Sequence, residues 1–149
     1  MILRKILIAV MLVSFHMLPS FAEELTEEQK EIATAKIGAA IDASKSWVTI
    51  VDSGRYNDSW SNAAQLFKDK VPEDQWETSL RQVREPLGKV VSREVANYQY
   101  MTNLPGAPKG EYVVIQSKTS FEEKPQSVET ITPMLDSDGQ WRVSGYYIK

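Results

Sequence analysis

The chain has 149 residues, a formal net charge of -3, one histidine and no cysteine. With 42% hydrophobic and 25% charged residues it has an ordinary globular balance, and its length suits one domain. The missing cysteines exclude a disulfide framework, thiol redox chemistry and a cysteine-built zinc site.

The first residues read as a secretory signal peptide. Arg4 and Lys5 are basic, Ile6 to Leu18 is apolar apart from Ser14 and His16, and Ser20-Phe21-Ala22 supplies small residues at the cleavage positions. The apolar run is short of the roughly 20 residues of a membrane span, and no later stretch is apolar enough to span. Residues 1–22 are expected to be removed after Ala22, leaving a single domain over 23–149, periplasmic or secreted. The only histidine, His16, leaves with the leader, so the mature chain cannot perform Ser-His or Cys-His catalysis. No cysteine near the cleavage point means no lipid anchor. Losing Arg4 and Lys5 leaves fifteen basic against 20 acidic side chains, near -5. A chain of that sign lacks the footprint of a nucleic-acid binder and is not drawn to anionic lipid.

Thr26 with Gln29 forms a capping box. Ile37, Ala40, Ile41, Val48 and Val51 follow at helical spacing, with Trp47 beside them, which predicts one helix to about Val51, stopped near Gly54. Ser44 sits on the same stripe and weakens it. A second helix is expected from Asn57 or Asp58, with Trp60, Ala63, Ala64 and Phe67 on one face. Pro72 opens a third, with Trp76, Leu80 and Val83 inward, stopped by Pro86 and Gly88. The period then drops to near two. Strands are expected over Lys89 to Met101, Glu111 to Phe121, Gln126 to Leu135 and Gln140 to Lys149. Leu104 to Gly110 is a connecting loop, read either as a mobile rim over a pocket or as a rigid connection, and Asp136-Ser137-Asp138-Gly139 is a hairpin turn. Helices followed by strands predict an α+β fold: three N-terminal helices on one face of a curved four-stranded antiparallel sheet, cone-like, with an interior pocket.

Several groups of residues together carry a family resemblance. These are Trp47, Val51-Asp52-Ser53-Gly54, Tyr56, Ser59-Trp60, Trp76, Arg84-Glu85-Pro86-Leu87-Gly88, Ser92-Arg93, Leu104-Pro105-Gly106, Gly110-Glu111-Tyr112, Phe121, Glu129-Thr130, Asp138 to Val143 and Gly145 to Ile148. Over about Ala35 to Lys149 the chain resembles Domain of Unknown Function 4019, a family of exported bacterial proteins. The resemblance implies a domain similar to the nuclear-transport-factor-2 and cystatin-like α+β folds, and it carries over no activity.

Strict alternation puts Val91, Val95, Val113, Ile115, Phe121, Trp141 and Val143 on a core face. It puts Tyr98, Tyr100, Tyr112 and Tyr146, with Val114 and Ile148, on the opposite face. That tyrosine face suits a partner or a homodimer through the sheet, or is ordinary cross-strand pairing. Arg84 and Arg93 flank the junction of helix and strand. Arg93 shares the core parity and needs a ligand anion or a buried carboxylate, with Glu129 the favoured partner and Asp52 the other. Trp60, Trp76 and Trp141 are core positions that can also line a ligand pocket. Asp52, Asp58 and Tyr56 are the groups a His-independent hydrolase or isomerase would use. Asp136 and Asp138 lack the remainder of a calcium loop. No catalytic residue, metal or cofactor is assigned. The expected role is a non-enzymatic exported domain for a small ligand or a protein partner. The alternatives are an Asp/Tyr enzyme and a structural subunit of an envelope assembly.

Overall fold

A computed structural model describes residues 25–149; the expected signal peptide lies outside the described residues. The Thr26 side chain accepts from the Gln29 backbone, and the Gln29 side chain reaches back to the Thr26 N–H, so two otherwise orphaned donors are satisfied where α1 (Glu27–Asp52) begins. Gly54, with φ of +71°, takes the left-handed conformation that turns the chain out of it. Next come α2 (Tyr56–Ser61), α3 (Gln65–Lys70) and α4 (Glu73–Arg84), then a single 3-10 turn over Glu85–Leu87. The expected second helix is therefore two. Ala63 and Ala64 are fully buried, and the Ala64 N–H donates to Val143 O at 2.8 Å, on a strand edge, instead of to its own helix. That bond redirects the backbone, and only a small side chain fits there.

The sheet is a plain antiparallel meander, β1 (Val90–Met101), β2 (Tyr112–Phe121), β3 (Ser127–Leu135) and β4 (Trp141–Ile148), in that spatial order. The α1 helix lies across β2, β3 and β4, and α3 packs on β4, while β1 carries no extensive helix contact. The fold is α+β, a four-stranded antiparallel sheet with helices packed against it. No helix among the described residues is long and apolar enough to cross a membrane.

Three register shifts overturn the expected two-face pattern. β1 bulges between Val90 and Ser92 and again between Val95 and Asn97, and the β3–β4 pairing shifts after Thr132. Each bulge resets the alternation by one residue. Arg93 and Val95 oppose Thr119 and Ser117, but beyond the second bulge Tyr98 and Tyr100 oppose Ile115 and Val113, on the same helix-facing side. Tyr146 opposes Ile131 and Val143 opposes Pro133, which again places both on the helix side. Val91 is thrown outward at 67% exposure, and Val95, on the same sparsely covered strand, is 39% exposed.

The main core joins Trp47, Val48 and Val51 of α1 to Trp76, Leu80, Ile131 and Val143, with Trp60 and Tyr146 against it. A second cluster sets Ala40 against Val113 and Ile115, with Trp141 alongside. Ser59, fully buried, ties the indoles together: Trp47 Nε1 donates to its carbonyl at 2.7 Å and Trp76 Nε1 to its hydroxyl at 2.9 Å. Burying tryptophan requires such an acceptor for the N–H. Val83, expected inward, is half exposed; Trp76, Leu80 and Arg84 form the buried face of α4.

Candidate functional site

Two places in the fold concentrate chemistry. The first is a charged cluster where the end of α1, the end of α4 and the sheet meet. Arg93 donates from Nε to Glu129 Oε2 at 2.5 Å and from Nη2 to Glu129 Oε1 at 3.2 Å. It also donates from Nη1 and Nη2 to the two oxygens of Asp52, at 2.7 and 3.0 Å. Arg84 Nη2 donates to Asp52 Oδ1 at 3.1 Å, and its guanidinium lies 4.5 Å over the Phe121 ring. Thr119 Oγ1 and the Tyr146 hydroxyl both donate to Glu129, so this fully buried carboxylate accepts four hydrogen bonds.

Burial pushes the Glu129 carboxyl up, but the hydrogen bonds from Arg93, Thr119 and Tyr146 outweigh it and hold the group below its usual range. Burial likewise works against the Arg93 cation, and its bonds to Asp52 and Glu129 reverse that and hold the charge more firmly. The Tyr146 hydroxyl is pushed up by burial and by the Glu129 charge beside it. Two cations face two anions, and no Glu129 oxygen lone pair is left for a substrate proton. The cluster clamps three elements together; it presents no free acid or base.

The second place is a cleft of about 380 Å³ between α3 and the loop after β1. Leu66, Phe67 and Val71 from α3 and its end form one wall, and Leu104, Pro105 and Ala107 from the loop after β1 form the other. Thr132, Ser144 and Gly145 make the floor. The loop is pinned by the Tyr112 hydroxyl, which donates to Pro108 O at 2.8 Å. Gly145 keeps an ordinary strand backbone, and a Cβ built on it would sit 3.7 Å from Thr132 Cβ, a normal contact. Its lack of a side chain is therefore no backbone requirement; it leaves the floor open.

The five expected pocket residues are dispersed. Trp60 and Trp76 are core residues, with Trp60 Nε1 bonded to Val71 O at 2.7 Å. Arg84 is buried in the charged cluster. Trp141 borders a hollow of about 220 Å³ beside α1. Arg93 borders a small cavity of about 80 Å³ beneath α1 and an open depression of about 500 Å³ along β1 to β3. That depression is larger than the cleft and mixes Glu94 with Arg93, Lys118 and Lys149.

The tyrosines expected on one open face are not together. Tyr98 and Tyr100 are on the helix side of β1, Tyr146 packs against Trp47 and Trp76, and Tyr112 is buried under the loop. Tyr100 donates to Glu111, which Lys36 also binds at 2.7 Å; Lys36, then burial opposing it, then Tyr100 set the Glu111 carboxyl, which ends below its usual range. Of the residues named for an enzyme, Asp52 is held by two arginines and Asp58 is exposed and paired with Arg55 at 3.2 Å. Tyr56 is buried in the core and stacks with Arg81. These three border none of the hollows described above. Asp136 and Asp138 both bind Arg142, and no group of three or more acidic, His or Cys side chains is placed to hold a metal among the described residues.

Sequence reasoning offered the Leu104 to Gly110 loop as a rim over a pocket but named neither the α3 wall nor the floor, because these come from segments far apart in the chain. Gly145, a glycine in mid-strand with no turn beside it, was the available signal. No curated protein and no solved structure matches the chain. A family model described as Protein of unknown function (DUF4019) matches residues 43–146, and the chain belongs to that family.

Proposed function

We propose that this is an exported domain that binds a small molecule without transforming it, and that the molecule sits in the cleft between α3 and the Leu104–Gly110 loop. The cleft carries the reading. Its volume of about 380 Å³ lies within the range of small-molecule sites, its walls are apolar, and its floor is kept open by Gly145. The charged cluster supports the non-catalytic part, since its carboxylates are already bound by arginine, threonine and tyrosine. Export rests on the signal-peptide pattern of residues 1–22. A cone-like curvature of the nuclear-transport-factor-2 type belongs to the same proposal, supported by the long α1 crossing three strands and by the bulges in the sheet.

The test is native mass spectrometry of protein produced from the full-length sequence and recovered from the cell envelope. The expected spectrum shows a chain beginning at Glu23 with a retained small-molecule mass, and Gly145→Val loses that mass while keeping the cleavage. An intact leader would contradict export. A retained mass indifferent to Gly145→Val would place the ligand elsewhere.

A further inference from the structure

The cleft has one charged side chain on it, Lys70 at the end of α3. No carboxylate lines it, and Lys70 has no ion-pair or hydrogen-bond partner among the described residues. Lys68, Lys89, Lys109, Lys118, Lys124 and Lys149 likewise have no acidic partner among the described residues, and Lys70 is the one of these lysines that lies on the apolar cleft. Ser144 Oγ donates to Thr132 O at 2.8 Å and the Tyr112 hydroxyl is committed to Pro108, while the Thr132 hydroxyl on the floor has no hydrogen-bond partner among the described residues. The cleft therefore offers apolar walls, the Thr132 hydroxyl on its floor and one exposed ammonium, that of Lys70.

Resting on the small-molecule reading above, we propose that the cleft takes a single-chain amphiphile with an anionic head, a medium-chain carboxylate free in solution, its alkyl chain between Phe67 and Ala107 and its head at Lys70. Charge complementarity chooses the anion. A neutral head would leave Lys70 unused, and a cationic head would be repelled by it. The size of the cleft chooses the single chain. About 380 Å³ is at the low end of ligand sites, and one alkyl chain fills it. The source is a soluble monomer in preference to a bilayer, because a chain of net negative charge is not drawn to an anionic membrane.

The experiment is a two-dimensional amide NMR titration of protein produced from the full-length sequence, with octanoate and, separately, 1-octanol. The expected result is saturable movement of the Phe67, Gly106, Ala107 and Gly145 signals with both, octanoate binding more tightly. Lys70→Gln then weakens octanoate by about threefold, as for an exposed ion pair, and leaves octanol unchanged. Gly145→Val removes both, and Ala107→Trp, on the loop side, does the same should the strand variant unfold. Equal binding of octanoate and octanol, or a Lys70→Gln variant that changes neither, overturns the anionic head while the cleft stands. Signals that move elsewhere, or not at all, overturn the head and the cleft together. Sedimentation with phosphatidylglycerol vesicles but no response to octanoate overturns the soluble source.

Discussion

Arg93 and Glu129 are partners across an intervening strand: Arg93 is on β1, Glu129 on β3, and β2 runs between them, contributing only Thr119 to their bond. The pair is separated by 36 residues in the chain. Glu129 is fully buried, so its charge is tolerable only because four donors surround it. Removing one partner leaves the other uncompensated. Glu129→Ala is expected to cost about 3–5 kcal/mol in urea unfolding. The double variant Arg93→Met with Glu129→Leu is expected to recover most of that, because Asp52 keeps Arg84. A double variant as unstable as the single one would show that the pair itself, and not its compensation, holds the sheet.

The same cluster sets the acid limb of stability. Glu129 titrates below its ordinary range when folded, so through that range the unfolded chain binds more protons than the folded one. Its contribution is complete above about pH 4.3 and is lost as the pH falls through the folded value. Melting temperature is expected to drop steeply below that point in the wild type and less steeply in Glu129→Gln, itself less stable at neutral pH. Equal acid slopes would contradict the assignment.

At the alkaline end the sign reverses. Tyr146 is raised by burial and by Glu129, so its neutral form is favoured on folding and stability is lost as the pH rises above about 10. Tyr56, Tyr100 and Tyr112 are raised too, burial being the first cause in each. Tyr146→Phe is expected to reduce the alkaline slope without abolishing it. A slope unchanged by that substitution would place the titration elsewhere.

Ser44 offers a stabilising substitution. Its hydroxyl has no partner, it is buried on α1, and it faces the cavity of about 80 Å³ walled by Ile41, Val48, Ile115 and Ile131. Ser44→Ala removes an unsatisfied group and adds helix propensity, so a gain of about 1 kcal/mol is expected. A loss would show that the hydroxyl is bonded in solution.

Helix and strand ends were legible wherever a residue with one dominant local preference stood. Thr26 with Gln29, Gly54, Pro72 and Gly88 mark them, and Gly139 closes its hairpin by donating to Asp136 O at 2.9 Å. The bulges were not legible. Nothing about Val91 or Ala96 distinguishes a bulged valine or alanine from a paired one, and the register is decided by what the neighbouring strand buries. One missed bulge in β1 moved Tyr98 and Tyr100 to the wrong face, and the one after Thr132 moved Tyr146. The break at Ala63 and Ala64 was hidden for a related reason: two alanines favour helix locally, and a tertiary bond to Val143 overrides them. The cleft depends on the loop after β1, held by the Tyr112 hydroxyl, standing opposite α3, and no local pattern encodes that distant pairing.

The central claim is the location of the ligand, and isotope-filtered NOE spectroscopy of the octanoate complex tests it most directly. The account predicts contacts from the octanoate methylenes to the Phe67 ring and the Ala107 methyl, across the two walls of the cleft. Contacts instead to Val95 and Tyr98 beside α1, or to Val128 in the open depression, would contradict it.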